Sequence, residues 1–458
     1  MVDDSFRTRR EILAMVTTSS VFALSGCSTG DNIDTTREST TTTITGSSTQ
    51  ASHTTSSNEK PDTQTTPTHK KSRSPWNSSA PESWKELETT GTPAYTDDPN
   101  WRYVSHDTGN TFHNPHASGP KSDPNVRWTV DFGDGGYWDY HALYHPLIVD
   151  GTVYIAFAEK EGNNVSRSGL LAVDTTSGDT EIAIETSKYL WKPMIVNGTV
   201  YAALGGGIAA FDLSTGEKKW ETDNLFRWPN SATYVNGMVV TGDERHIVAI
   251  DASTGTVQWS ADLSNQLLDS QVVFPVVADQ TVVHSGANPR ELRTGKQRTT
   301  FPTRLSRPSL SDGTLFGHQL HESILSINWK TLEDNWVQTF DESEPFVVST
   351  YVGCTSDVLI TGKSTDPEET QIVGLDRHSG NQLWSTFIGE PDPALVLSDP
   401  TTAYLFGLSH RAIAIDPNTG TIQWEFQLPE DATFGYGAAL ANDLLVLADG
   451  SGKLWALE

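Results

Sequence analysis

Seven times between residues 174 and 424 the chain writes a nine-residue string that opens on an acidic or amide residue. The clear copies are "DLSTGEKKW" from Asp212, "DASTGTVQW" from Asp251, "DRHSGNQLW" from Asp376 and "DPNTGTIQW" from Asp416. The worn ones are "DTTSGDTEI" from Asp174, which ends on Ile182, "NWKTLEDNW" from Asn328 and "ELRTGKQRT" from Glu291. First positions fall at 174, 212, 251, 291, 328, 376 and 416, in steps of 38, 39, 40, 37, 48 and 40. A chain that restates itself at this spacing is an array of like units, each needing its neighbours to bury an apolar face.

Each unit reads as four strands. "IVDGTVYIA" from Ile148 and "IVNGTVYAA" from Ile195 are the first hairpin: an apolar run, a turn, then a β-branched and aromatic run. Asp-Gly and Asn-Gly tolerate positive φ and therefore make tight hairpins. An alternating strand such as "GIAAFD" follows, then the Asp-x-x-Thr-Gly turn, then a strand carrying Trp. In the turn, Asp212, Asp251, Asp376 and Asp416 are placed to hold backbone amides, and Gly216, Gly255, Gly380 and Gly420 to take the left-handed position. The large flat side chains of Trp220, Trp259, Trp336, Trp384 and Trp424 are placed to pack between neighbouring units. A period near forty with four strands per unit predicts an all-β, eight-bladed β-propeller of four-stranded blades. The last copy, "GKLWALE", stops at Glu458, one strand short, and "VRWTV" with Trp128 is available to complete it. The ring is thus closed by an N-terminal strand, which removes free sheet edges.

The A-x-D-x-x-T-G-x-x-x-W pattern in "AAFDLSTGEKKW" and "AIDASTGTVQW" resembles the tryptophan-docking repeat of quinoprotein-like (PQQ-repeat) propellers. That group includes pyrroloquinoline-quinone alcohol dehydrogenases and the propeller lipoprotein that helps assemble outer-membrane β-barrels. The lead-in "WRYVSHDTGNTFHNP" resembles that of such proteins in halophilic archaea. The resemblance covers nearly all of residues 100–458 and speaks to fold more than to function.

Upstream, residues 1–26 read as a signal peptide. Arg9 and Arg10 form a twin-arginine pair, Ile12 to Gly26 is a short apolar stretch, and "LSGC" ends on Cys27 as a lipobox does. Residues 27–95 read as a disordered stalk: from Ser28 to Ala80, 26 of 53 residues are Ser or Thr, too polar to offset the entropy of ordering. The stalk is open to glycosylation, and N-x-S/T sequons stand at Asn77, Asn164 and Asn197. Residues 96–458 hold the propeller. The expected location is the outer face of the cytoplasmic membrane, held by a lipid on Cys27.

With 58 acidic against 31 basic residues the net charge is −27, which argues against nucleic acid as a partner and fits a saline setting. Relatives that oxidise alcohols hold their quinone with a disulfide between adjacent cysteines, and a calcium ion with Glu, Asn and Asp. Cys27 and Cys354 are the only cysteines, so the expectation is no cofactor and no metal, with the quinone and calcium as the alternative. "DFGDGG" from Asp131 is too short for a calcium loop. His141 and His145, and His106, His113 and His116, are read as solvated or turn-stabilising.

The positional candidates are the residues just before the apolar run of each repeat, where an inner strand starts beside the central channel. They are Tyr144 and His145, Trp191 and Lys192, Arg227 and Trp228, Phe274, Arg307, Phe346 and Tyr436. Aromatic and Arg side chains dominate binding hot spots, and Tyr137, Trp138 and Tyr140 extend the same face. The function expected is a non-catalytic, monomeric binding or scaffold propeller engaging proteins or peptides. The alternative is a quinone-dependent dehydrogenase.

Overall fold

The computed structural model describes residues 90–132, 144–161, 164–223, 225–226, 232–243, 245–263, 275–285, 288–301, 305–319, 323–340, 353–366, 369–389, 393–407, 411–428, 434–449 and 452–458. All belong to the second of the two units into which the chain divides, residues 66–458. The signal, lipobox and stalk, with Arg9, Arg10 and Cys27, lie outside the described residues.

Strands alone make up the regular structure described, in eight antiparallel sheets. Blade 1 spans residues 144–186, blade 2 190–221, blade 3 233–262, blade 4 276–291, blade 5 306–339, blade 6 353–389 and blade 7 393–427. Blade 8 joins residues 434–457 to the N-terminal strand Val126–Asp131. Within each blade the strands run in sequence order from the inside out, and the first strands of neighbouring blades lie against one another around the channel. This is an eight-bladed β-propeller. Seven sheets have four strands; blade 4 has three, with a single bridge between Arg290 and Gln297 where a fourth would begin. That blade carries the worn string ending in Thr299 instead of Trp.

The recurrent string is a lock between blades. Asp212 Oδ1 accepts from the backbone N–H groups of Ser214 at 3.0 Å and Thr215 at 3.2 Å, and Gly216 takes φ 71°. Hydrogen bonds from Ser214, then the Lys219 ammonium, hold the Asp212 carboxyl far below the usual carboxylate range. Each Trp then reaches the following blade's turn. Trp220 Nε1 donates to Ala252 O at 2.9 Å, Trp259 to Leu292 O at 2.7 Å, Trp336 to Arg377 O at 2.9 Å and Trp384 to Pro417 O at 2.8 Å. The turn glycine lies flat on that ring: a Cβ on Gly255 would come within 2.7 Å of Trp220, and one on Gly380 within 2.5 Å of Trp336. The Ala of A-x-D has its own reason. Trp220 stands opposite Ala210, Trp259 opposite Ala249, Trp336 opposite Ser326, Trp384 opposite Gly374 and Trp424 opposite Ala414. Only a small side chain leaves room for an indole across the ladder.

A bulge aims the indole. In these blades one extra residue of the outer strand, such as Lys219 or Gln258, precedes the Trp. In blade 1 the extra residue is Ala183, after Ile182. Because strand side chains alternate between faces, that shift turns Ile182 to the opposite side, and it is 42% exposed. Blade 5 meets its Trp-less neighbour differently. Its turn carries Leu332 where the others have Gly, at φ 57°, and both Leu332 and Trp329 are fully buried. Bulk missing from blade 4 is supplied from the blade 5 side.

Ring closure follows the expected plan: Trp128 pairs with Ala456 and Val130 with Leu454, and Trp128 Nε1 donates to Thr175 O of blade 1 at 3.0 Å. The chain is already bonded to the ring at Gly91, whose N–H donates to Asp279 Oδ2 at 3.0 Å.

The lead-in segment then makes a full circuit. Trp101 and Ile148 of blade 1 exchange backbone hydrogen bonds at 2.8 and 3.0 Å, and Ile195 of blade 2 donates to Arg102 O at 3.2 Å. Tyr103 Oη donates to Tyr234 O of blade 3 at 3.2 Å. Val277 of blade 4 donates to Thr108 O, Leu310 of blade 5 to Gly109 O, Cys354 of blade 6 to Thr111 O and Ser398 of blade 7 to Phe112 O, at 2.8, 2.7, 3.2 and 2.9 Å. Asn114 Nδ2 reaches Leu440 O of blade 8 at 3.0 Å. Fourteen residues thus touch all eight inner strands in order. Left-handed backbone at His106, Asn110 and Phe112 bends the chain tightly enough to do so. Asp107 holds the circle: Oδ1 accepts from Gly109 N at 2.7 Å and Oδ2 from the Thr111 hydroxyl. The contacts fall at the turn end of the inner strands, so this segment closes one mouth of the channel.

Candidate binding site at the open mouth

The opposite mouth is framed by the starts of the inner strands. Three of them are distorted at the same place. His145 has φ 49°, Lys192 46° and Arg307 50°, and each precedes a proline, Pro146, Pro193 and Pro308. The ladder slips there, between Tyr144 and Leu147, Trp191 and Met194, and Ser306 and Ser309. Proline offers no N–H to a ladder and disfavours helical backbone in the residue before it. The ladder bulges there, and the residue before each proline takes left-handed backbone, at a cost of order 1–3 kcal/mol per residue. The same strain thus recurs at one position of three blades, on an imidazole, an ammonium and a guanidinium.

These residues border the channel. His145 lies deep in the molecule yet keeps part of its surface accessible, which a side chain packed inside a blade would not. Burial, with the Lys192 charge adding to it, lowers the His145 imidazole to about 3, so it is neutral. Burial lowers Lys192 to about 8, so it keeps its charge at neutral pH. Its Nζ stands 4.9 Å from the centre of the half-buried Trp191 ring, within cation–π range. Blade 8 comes close beside them: a Cβ on Gly437 would lie 2.8 Å from His145 N. Further round the ring, Arg307 N donates to Ser285 Oγ of blade 4 at 3.2 Å.

Of the residues expected at this face, the structure brings His145, Trp191 and Lys192 together and puts Arg307 on the blade 5 bulge. Arg227, Trp228, Phe274, Phe346, Tyr137, Trp138, Tyr140 and His141 lie outside the described residues. Tyr436 lies within the blade 8 inner strand, Phe434–Ala441, and its side chain is outside the description. The turn residues Asp150, Asn197, Asn236, Asp279, Asp312 and Asn442 all have positive φ. Counting five back from each gives His145, Lys192, Ser231, Phe274, Arg307 and Gly437. Arg227, Trp228 and Tyr436 therefore stand off the register of the repeat.

The lead-in histidines have specific places. His106 is fully buried against Trp101, ring centres 5.1 Å apart. His113 Nδ1 is 2.8 Å from Ser398 Oγ, and burial lowers it to about 4. Neither is solvated, and His106 Nε2 lies 3.0 Å from Asp98 O, within the lead-in turn, as the turn-stabilising expectation has it. His116 is exposed and bonds Asp97 at 2.7 Å. The sequence signal for both missed features was present: X-Pro before the apolar run, and a lead-in string of His-Asp, Gly-Asn and Thr that suits tight backbone bends.

Cys354, with no neighbouring cysteine, is buried against Ser309 Oγ at 3.7 Å, and burial raises its thiol to about 11. Among the described residues no three His, Cys, Asp or Glu side chains converge as a metal site. Elsewhere, Phe132, just after the closing strand, and Phe157, Arg167, Leu171 and Ile182 of blade 1 line a cleft of about 430 Å³. It follows from the turned Ile182, and its cation is already held by Glu159 at 3.4 Å and Glu185 at 2.9 Å.

Comparison with known proteins bears on the same questions. Residues 149–299 and 206–399 match the family model described as outer membrane protein assembly factor BamB. No curated protein matches the chain in sequence. The structure of BamB from Moraxella catarrhalis superimposes with a TM-score of 0.53 at 14% identity, covering 74% of this chain and 98% of that one. A europium-containing methanol dehydrogenase gives 0.56 at 12%, covering 79% and 99%. Sqt1 of Saccharomyces cerevisiae gives 0.55 at 11%, covering 73% and 98%. At these identities the likeness is one of fold, shared by proteins with quite different names. The two matched stretches together span more than half of the sequence, and the chain belongs to the PQQ-repeat family described as outer membrane protein assembly factor BamB.

Proposed function

We propose that this is a non-catalytic, monomeric binding propeller that holds other proteins or peptides at the open mouth of its channel. The observation that carries the reading is the strained bulge repeated at His145, Lys192 and Arg307, with Trp191 against Lys192. Strain of this kind persists at positions that bind or react. The family description, an assembly factor, agrees with a scaffold. The leader extends the reading: export by the Arg9–Arg10 signal, a lipid on Cys27 and a Ser/Thr-rich stalk would hold the propeller on the outer face of the cytoplasmic membrane.

Two experiments test it. Alanine at Trp191, Lys192 and Arg307 together abolishes capture of a partner that binds the wild-type chain; survival of capture moves the binding face elsewhere. Cys27→Ser releases the chain from the membrane fraction, and retention there contradicts the lipid anchor. A quinone-dependent dehydrogenase is the competing reading. Dye-linked alcohol oxidation on adding quinone and calcium to the purified chain would establish it in place of ours.

A further inference from the structure

We infer that the outer turn of blade 4, Arg290 to Arg298, docks on an anionic lipid surface, with Arg293 and Lys296 meeting the headgroups. This goes beyond the binding reading and rests on the lipid anchor proposed at Cys27.

Charge is the first argument. Seven blades carry the recurrent turn string, and all seven copies are described. With the residue before it, the blade 4 copy holds Arg290, Arg293, Lys296 and Arg298 against one acid, Glu291. In no other blade does the same stretch hold more Lys and Arg than Asp and Glu. Where blade 4 has Arg290, the others have Val173, Phe211, Ile250, Ile327, Leu375 and Ile415. The lock between blades needs none of these four bases. It uses the Leu292 carbonyl, which accepts from Trp259 Nε1 at 2.7 Å, and Gly295, which lies on the Trp259 ring.

The second argument is pairing. Lys219 of the blade 2 turn reaches Asp212 at 3.1 Å, and Arg377 of the blade 6 turn reaches Asp312 at 3.0 Å. Arg290, Arg293, Lys296 and Arg298 form no ion pair among the described residues. Glu291 is engaged in the turn itself, where it accepts from the Thr294 hydroxyl at 2.6 Å. Arg293 and Lys296 are exposed, and Arg290 and Arg298 are half-buried. Arg290 Nη1 donates to Gly295 O and Arg298 Nη2 to Gln280 O, each at 2.8 Å, while the Nε of both is buried with no hydrogen-bond partner. Partly burying a charge without a counter-charge costs free energy. In a chain of 58 acids and 31 bases, bases left unpaired together make a local positive field that draws an external anion.

Place selects the kind of anion. Asp279, in the first turn of blade 4, accepts from Gly91 N at 3.0 Å and from the Thr90 hydroxyl at 3.3 Å. Arg298 holds the same turn through Gln280 O. The chain that leads back to Cys27 therefore joins the propeller beside the basic turn, so a tethered propeller sets this turn on the membrane with little extension of the tether. The net charge of −27 does not prevent it, because a Debye length of about 10 Å at 0.1 M salt limits the interaction to residues near the lipid. Each base near an anionic membrane strengthens binding about fivefold. Four bases without a lipid give weak, reversible binding. The turn thus orients an anchored protein, and a Cys27→Ser chain still washes off the membrane fraction.

The test uses the full Cys27→Ser chain, which carries no lipid. The probes are vesicles of phosphatidylcholine alone and of phosphatidylcholine with an equal part of phosphatidylglycerol, at low salt. Sedimentation is expected to show at least about tenfold tighter binding to the anionic vesicles, lost in about 1 M salt, where the Debye length is about 3 Å. Arg293→Gln with Lys296→Gln weakens that binding at least about fivefold, and Arg293→Lys with Lys296→Arg keeps it within about threefold. Lys218→Gln with Lys219→Gln, an equal loss of charge at the blade 2 turn, also keeps it within about threefold. Thermal unfolding of each variant shows that it is folded. No preference for phosphatidylglycerol, or an equal loss from the blade 2 pair, overturns the inference. Binding of polyglutamate that depends on Arg293 and Lys296, with no gain from phosphatidylglycerol, assigns the turn to an acidic protein and overturns it as well. If the inference fails while the wild-type chain stays in the membrane fraction, the anchor stands without the docking; release of the wild-type chain removes the anchor itself.

Discussion

Trp424 of blade 7 donates its indole hydrogen to the carbonyl of Pro120, 2.8 Å away and 304 residues earlier in the chain. Every other docked Trp described here reaches the Asp turn of the next blade. Blade 8 has no such turn, because its third strand ends at Leu457 and its fourth comes from residues 126–131. The lead-in chain takes the place of the missing turn, so one residue couples the last full repeat to the start of the propeller.

Trp424→Ala should therefore open the seam as well as leave a void. Trp-to-Ala changes in cores cost about 3–5 kcal/mol, and Trp259→Ala, at an ordinary junction, gives the comparison. Denaturant unfolding is expected to show both losses. Protease should cut near Pro120 faster in Trp424→Ala than in Trp259→Ala, and equal cutting would make the seam an ordinary junction.

Leu332 offers a sharper test because local and tertiary effects oppose each other. Replacing it with Gly relieves a left-handed backbone worth roughly 1–2 kcal/mol but removes a fully buried side chain worth about 2–5 kcal/mol. Leu332→Gly should destabilise the protein on balance, by up to about 4 kcal/mol from those two figures. A gain in stability would mean the Leu does not fill the space left by Thr299.

Lys192 should be a liability for stability. Burial lowers its ammonium from the ordinary 10.5 to about 8 in the folded chain, so between those values the unfolded chain binds more protons and stability rises with pH. Lys192→Met removes that burden, and at pH 7 it should stabilise by up to about 3 kcal/mol. The advantage should fade by about pH 10 as the wild-type Lys loses its proton. A variant less stable than wild type at pH 7 would mean the charge is well compensated.

The architecture was readable because its determinants are local. Asp-Gly and Asn-Gly turns, the Asp-x-x-Thr-Gly turn and the alternating strands each report their own conformation within a few residues, and repetition made them plain. The closing strand at Trp128 was readable because one unit was visibly short. What escaped depends on register. Whether the outer strand bulges at Lys219 or at Ala183 decides which face the next residue takes, and sequence alone does not say where a ladder slips. The lead-in circuit escaped because its hydrogen bonds join residues far apart in the chain, Gly109 to Leu310 and Thr111 to Cys354, through backbone atoms common to every residue. At the candidate site, Lys192 and Arg307 were legible as odd residues in a repeat; that His145 is neutral and Lys192 charged beside it follows from burial.

Which end of the channel does the binding decides whether the open mouth is the site. A photo-cross-linking amino acid, p-benzoylphenylalanine, placed at Trp191 on the open mouth and separately at Thr215 on the plugged face, measures this directly. Partner cross-linked from position 191 and not from position 215 is the predicted result. Cross-links from position 215 with none from 191 would contradict it.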